Sequence, residues 1–168
     1  MVALQQTSRS GVTPAILHGA LGGAVAGMAM AMAEMMWSAA TGMGVWMSLQ
    51  MIASVPLGKM PPDIALSTAL PVGMATHMVL SMMFGWGFVA LLAVVRPLRS
   101  STAVIVVAAT AFGFTLWIVN FYAIAPALGR DWFTDAGVLQ QLVAHTFAFG
   151  SVLGIYVART LGAHDSTR

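Results

Sequence analysis

The sequence predicts an all-α integral membrane protein, a single four-helix bundle that crosses the bilayer up, down, up and down. Of the 168 residues, 59% are hydrophobic and 7% are charged. The mean hydropathy is +0.87, so the chain has too little polar surface to coat a soluble globule. The apolar runs are continuous rather than alternating, which argues against a transmembrane β-barrel and for helices.

Four apolar segments are long enough to cross a hydrocarbon core, which takes about 20 residues of helix. These spans are predicted at 14–40, 70–94, 102–125 and 137–159. They fill most of the chain, so residues 1–168 are expected to form one transmembrane domain. The first segment is longer than the apolar region of a cleaved signal peptide, which is about 7 to 15 residues, and is interpreted as a retained span.

Two connections contain features of their own. The longest, 41–69, includes an apolar stretch at 45–55 that is predicted to lie as a short helix in the outer interface of the membrane. The connection 126–136 carries Trp132 and Phe133, which suit an aromatic anchor at the level of the lipid headgroups. Residues at the two ends of the chain are expected to be short polar tails.

The distribution of charge predicts the orientation. Five arginines lie beside the termini and the connection between the second and third spans: Arg9, Arg96, Arg99, Arg159 and Arg168. The other two connections carry both signs: Lys59, Asp63, Arg130, Asp131 and Asp135. Because basic residues favour the cytoplasmic side, both termini are predicted to be cytoplasmic, in a multi-pass protein of the cytoplasmic (inner) membrane.

Composition also excludes several classes of function. The chain has no cysteine, which rules out disulfides, thiolate metal sites and iron–sulfur clusters. A net charge of +2 spread over the connections forms no basic patch for nucleic acid. No phosphate loop, nucleophile elbow or zinc-protease helix is present, so the sequence favours a non-catalytic protein.

A small set of polar residues lies inside the apolar spans. Glu34 is the one charged residue deep within a span, where a carboxylate that stays ionised costs about 3 kcal/mol and is expected to face the bundle interior. At 1.5 Å per residue, Glu34, His77, Asn120 and His145 lie roughly 8 to 12 Å from the outer ends of their spans. An up-and-down bundle would bring four groups of matching depth together on its axis.

Two histidines on alternate helices predict a cofactor site. His77 and His145 suit the two axial imidazoles of a b-type haem, as in an electron-transfer protein. With Glu34 added, the same groups suit a site with two histidines and one carboxylate for iron, zinc or copper. Three neighbouring side chains are predicted to support these ligands by hydrogen bonds: Ser81, Asn120 and Gln141. In the alternative interpretation these polar groups only bridge helices.

Methionine is abundant, with 14 residues. Met74, Met78 and Met82 stack on one face of the second span, and thioethers favour Cu(I). Methionine is also a flexible apolar filler, and this more ordinary interpretation is preferred.

The chain contains hints of an internal duplication. A shift of 86 residues aligns Glu34 with Asn120, and a shift of 68 aligns His77 with His145. A competing alignment of His18 with His145 leaves a two-plus-two repeat open.

Two segments resemble parts of a known group of proteins. The glycine-rich run 18–28 and the run 145–156, in which a histidine is followed by Phe149-Gly150 and Gly154, are similar to the YagU-like and related families of small four-helix bacterial and archaeal membrane proteins. The resemblance implies the four-span fold. It implies no activity, because these families have none assigned.

The leading hypothesis is a small subunit of a larger membrane complex that binds haem or a metal through His77 and His145. The alternatives are a structural or assembly subunit without a cofactor, and a small proton-coupled transporter in which Glu34 titrates. Gly23 and Gly27, four residues apart, form a small-residue face. Besides the lipid bilayer, we therefore expect other membrane subunits or copies of this chain as partners.

Overall fold

The computed structural model describes the backbone of residues 3–165 and the side chains of residues 16–160. Within these limits the chain is helical and contains no strand. Four helical segments are long and apolar enough to cross a membrane: Ile16–Ala40, Leu66–Val94, Thr102–Ala127 and Val138–Thr160. The prediction of an all-α protein with four candidate spans is therefore confirmed, and each boundary lies within four residues of the predicted one.

Five helices build the described part of the chain. They are α1 (Ala3–Ala40), α2 (Met47–Leu57), α3 (Leu66–Val94), α4 (Thr102–Ala127) and α5, which begins at Val138 and ends at Asp165. Short 3₁₀ turns at Pro61–Asp63, Arg96–Arg99 and Asp131–Phe133 lie in the connections. Helices α1 and α5 continue into the two segments that were predicted to be polar tails.

Local signals in the sequence set two of the helix ends. Ser101 caps α4, since its Oγ accepts a hydrogen bond of 3.2 Å from the backbone N–H of Val104. Helix α2 ends at Gly58, which adopts a left-handed conformation with φ of 67° and donates its N–H to the Ser54 carbonyl. The first signal starts α4 after the turn that follows α3, and the second ends α2 before α3 begins.

The four long helices pack as a bundle. Helix α1 contacts α3 and α5, and α4 contacts α5. Phe88 of α3 and Phe112 of α4 complete the ring, with their centroids 5.5 Å apart. Helices α3 and α5 therefore lie diagonally opposite each other, and Phe84 and Phe149 meet across the axis at 6.4 Å.

Glycines allow the closest helix contacts. A Cβ atom on Gly23 of α1 would overlap the carbonyl oxygen of Ser81 on α3. A Cβ atom on Gly113 of α4 would overlap the carbonyl oxygen of His145 on α5. The small-residue face predicted on the first span therefore packs inside the bundle, as small residues do when helix backbones approach each other in membranes.

The two ends of the bundle differ. At the end where α3 leads into α4, hereafter the α3–α4 end, Phe88, Leu92, Leu153 and Val157 are at most 1% exposed and form a dry core. The opposite end, where α1 stops, α3 starts and α4 leads into α5, is covered by α2 and is hereafter the α2 end. This end contains the polar side chains singled out above.

The short helix predicted at 45–55 is present as α2 (Met47–Leu57). It packs against α3 and buries Leu49, Ala53 and Ser54. Trp132, predicted to be a headgroup anchor, donates its indole N–H to Ser54 Oγ at 3.0 Å. Phe133 is 5% exposed and packs with the core of α4. The two aromatic residues thus bind α2 to the bundle, because their rings and the indole N–H find partners within the protein.

Candidate functional site

A cavity of about 480 Å³ lies at the α2 end of the bundle. This volume falls within the range of small-molecule pockets, about 300 to 1,000 Å³. The lining is mostly apolar and aromatic. The structure brings all six residues that were predicted as ligands or supporting groups to this one cavity: Glu34, His77, Ser81, Asn120, Gln141 and His145.

Two π-helical segments shape the site. One covers Asn120–Ile124 in α4 and the other Ala144–Ser151 in α5. A π-turn contains an extra residue and rotates the following side chains relative to an α-helix, and such turns occur frequently at functional sites. Here the two segments contain Asn120 and His145, both of which line the cavity.

His145 is held by its own helix. Its Nδ1–H donates to the carbonyl oxygen of Gln141 at 2.9 Å, and 9% of the residue is exposed. The phenyl ring of Phe121 and the imidazole pack in a T-shaped arrangement, with their centroids 5.4 Å apart. In the neutral ring, Nε2 then carries the lone pair. Among residues 16–160 this nitrogen has no hydrogen-bond partner.

His77 is held by a different helix. Its ring Nε2–H donates to the carbonyl oxygen of Gly27 on α1 at 2.8 Å. Glycine at position 27 lets α3 come this close to α1, because the Cβ atom of any other residue there would collide with Ser81 Oγ on α3. In the neutral ring the lone pair lies on Nδ1.

Both histidines therefore have the arrangement expected of metal ligands, in which one ring N–H donates to a backbone carbonyl and the other nitrogen keeps its lone pair. The two sites do not fit a haem equally well. His145 offers Nε2 directly. His77 can coordinate only through Nδ1, or through Nε2 after the bond to Gly27 is broken.

Glu34 does not complete a metal site of the predicted kind. In the part of the chain with described side chains, no group of three or more histidine, aspartate or glutamate residues is arranged to hold a metal ion. The site with Glu34, His77 and His145 as ligands is thus not preformed, and it stays a prediction.

Glu34 instead organises a hydrogen-bond network. It is 7% exposed, and its Oε2 accepts bonds from Gln140 Nε2 at 2.9 Å, Gln141 Nε2 at 3.1 Å and Ser48 Oγ at 3.3 Å. Ser48 lies on α2 and the glutamines lie on α5, so one carboxylate on α1 joins three helices. Its Oε1 is buried and has no partner among the described residues.

The roles of the supporting residues differ in part from the predicted ones. Gln141 acts twice, since its carbonyl orients His145 and its side chain binds Glu34. Gln140 and Ser48 were not predicted. Gln140 gave a usable signal, because a second glutamine in an apolar span is itself unusual. Ser48 gave none, since its position relative to Glu34 depends on how the connection folds back.

Charge at the mouth of the cavity comes from Arg130 and Asp135. The Arg130 guanidinium donates to the Val55 carbonyl at 3.2 Å and to the Leu128 carbonyl at 2.7 Å, and lies 5.8 Å from the centre of the Trp132 ring. Arg130 therefore ties the α4–α5 connection to the end of α2.

Comparison with known proteins found no matching protein-family model, no matching curated protein and no matching solved structure. The resemblance to the YagU-like families therefore stays a prediction that rests on the two sequence segments.

Proposed function

We propose that this chain is a non-catalytic, multi-pass membrane protein that holds a cofactor in the α2-end cavity through His145 and His77, and that it works as a small subunit of a larger membrane complex. The cofactor is a b-type haem or a transition-metal ion. The orientation with both termini cytoplasmic, in a cytoplasmic-type membrane, is part of the same proposal.

One observation carries the proposal. Two histidines from diagonally opposite helices line one cavity, and each has one ring nitrogen fixed by a backbone carbonyl. The second ring nitrogen of each histidine has no hydrogen-bond partner among residues 16–160, and a histidine that only bridges helices does not need to line a cavity. A ligand needs both features, since the carbonyl sets the tautomer and the ring orientation while the lone pair binds the metal.

The walls of the cavity support a cofactor with an apolar body. Phe84, Phe121 and Phe149 contribute aromatic surface, and Leu80 and Leu116 contribute aliphatic surface. The polar groups are few and lie at defined positions. This combination is typical of cofactor sites, in which apolar contacts supply affinity and a small number of polar groups set orientation.

The test is an absorption spectrum of the full-length protein in detergent, air-oxidised and then reduced with dithionite, with metal analysis on the same sample. We expect a Soret band that shifts on reduction, or a stoichiometric metal. His145→Ala should abolish that signal. His18→Ala is the control, because His18 does not line the cavity. A featureless spectrum without stoichiometric metal would overturn the proposal.

A purely structural role is the second candidate, favoured by the three hydrogen bonds of Glu34. In that case the network exists to fasten α2 and α5 to α1, and the cavity takes no cofactor. Glu34→Ala would then lower stability in a sample that never contained a chromophore or a metal. The spectrum above separates the two candidates.

A further inference from the structure

The methionines near the cavity differ from those that the sequence analysis singled out. Five methionines line it: Met30 and Met35 of α1, and Met43, Met47 and Met51 in and just before α2. The last three are spaced at four residues, so Met47 and Met51 share one face of α2. Met74, Met78 and Met82 of α3 do not line the cavity.

Two of these methionines are linked to His145 through neighbouring residues. Met30 is 7% exposed and belongs to the same buried cluster as Ala144, the residue before His145. Met51 packs against the cluster that contains Phe121, and Phe121 touches the His145 ring. Methionines from α1 and α2 therefore line the same cavity as His145.

This donor set favours one class of ion. Thioethers and a neutral imidazole are soft, uncharged ligands, which select Cu(I) among biological metals. Divalent zinc and iron prefer thiolates, carboxylates or several imidazoles, and the described residues contain no preformed group of that kind. The Glu34 Oε2 atom is engaged with three donors, so in this assignment the carboxylate supports α2 and the soft donors hold the ion.

We propose that the α2-end cavity binds a single Cu(I) ion through Nε2 of His145 and the thioethers of Met30, Met47 and Met51. Met43, which also lines the cavity, is 44% exposed. This inference rests on the proposed function, because it names the occupant of the same cavity and keeps His145 as the ligand that the two proposals share. In this assignment the bond from Ser48 to Glu34 helps to hold α2, which carries Met47 and Met51, at the cavity.

The experiment uses the full-length chain in detergent, under anaerobic conditions, titrated into the Cu(I) complex of a chromogenic chelator such as bicinchoninate. We expect wild-type protein to withdraw one Cu(I) per chain. Met47→Leu/Met51→Leu should raise the Kd for Cu(I) by at least about tenfold. Removing even a residue that only hydrogen-bonds to a metal ligand lowers metal affinity by that much. Leucine keeps the apolar volume and removes only the sulfur.

The matched control is Met78→Leu/Met82→Leu, which changes two methionines outside the cavity and should leave the Kd unchanged. Helical circular dichroism shows whether α2 still folds. If the double variant in α2 is unfolded, Met30→Leu repeats the test from α1, where the change lies within a continuous helix. A Kd in these variants equal to that of the wild type, or no uptake of Cu(I) at all, overturns the inference.

The same samples separate this failure from failure of the proposed function. If His145→Ala removes haem or another metal while the methionine variants keep wild-type behaviour, the cavity is a cofactor site of a different kind. If the protein binds neither Cu(I) nor a chromophore nor another metal, both proposals fall together.

Discussion

The two ends of the bundle are built on opposite principles. The α3–α4 end contains Phe88, Leu92, Leu153 and Val157, whose side chains exclude the solvent almost completely. The α2 end contains a cavity lined by a buried carboxylate and two histidines. A buried polar group costs free energy unless each of its atoms finds a partner. The α2 end is therefore less densely packed with apolar side chains than the α3–α4 end.

This difference is the basis for placing the proposed site at the α2 end. A protein that only needed to fold would fill both ends with apolar side chains. Departures from that rule are expected at functional sites, where local preference yields to chemistry. The cavity, the two π-helical segments and the unpartnered Oε1 of Glu34 all lie at the α2 end.

The largest effect is expected in the dry core. Leu153→Ala removes a fully buried side chain and leaves a cavity, and large-to-small changes of this kind cost about 2 to 5 kcal/mol. We expect a corresponding drop in thermal stability in detergent. Ile155→Ala, two residues away on the same helix but 42% exposed, is the control and should change stability little. Equal effects of the two substitutions would show that the α3–α4 end is not the packed core.

The next effect is expected where the two ends meet. Gly113→Ala places a Cβ atom against the His145 carbonyl, so α4 and α5 must separate. Overpacking typically costs about 1 to 3 kcal/mol. Gly87→Ala is the control, since a Cβ atom there meets no atom within 4 Å and alanine favours a helix. Unfolding in a denaturing detergent would measure both, and a Gly113→Ala variant as stable as Gly87→Ala would contradict the close contact.

A third effect is expected at the polar network. Glu34→Ala removes the acceptor of all three donors, but Gln140 Nε2 and Ser48 Oγ keep Ser38 Oγ as a partner at 3.4 and 3.1 Å. Only Gln141 Nε2 is then left unpaired, at a cost of about 1 to 3 kcal/mol before relaxation. Glu34→Gln keeps one carbonyl oxygen for these donors and should retain most of the stability. Thermal unfolding of both variants gives the comparison. If glutamine is as harmful as alanine, the charge of Glu34 matters beyond its role as an acceptor.

The fold could be predicted from the sequence because hydrophobicity and length decide it. Four apolar runs must become helices in a bilayer, where every backbone group needs an internal partner. The start of α3 was the least accurate boundary, at Leu66 rather than residue 70. A helix can continue past the hydrocarbon region, and composition marks the membrane more clearly than it marks the end of a helix.

The polar residues at matching depth were also predictable, since depth follows from the rise per residue. Their contacts were not. The π-helical segments change which side chains face the bundle axis, and no pattern in the sequence predicts them. Met47 and Met51 line the cavity only because the connection after α1 folds back. Their spacing alone does not predict this, whereas Met74, Met78 and Met82 show their common face directly in the sequence.

The smallest effect is expected at the fastening of α2. Trp132→Phe keeps an aromatic ring and removes the indole N–H that donates to Ser54 Oγ at 3.0 Å. Ser54 keeps its own bond to the Met51 carbonyl at 2.6 Å, so the net loss is that of one hydrogen bond, about 0.5 to 1.5 kcal/mol.

Arg130 still holds the α4–α5 connection to α2 through the Val55 carbonyl, so this loss should stay local. We expect faster amide hydrogen exchange in 47–57 and little change in the dry core, since segments open locally at a lower free energy than the whole fold. Trp86→Phe is the control, because Trp86 is 49% exposed on α3. Exchange that accelerates equally in α2 and around Leu153 would mean that the two ends unfold as one unit, and that the contrast between them concerns composition and not stability.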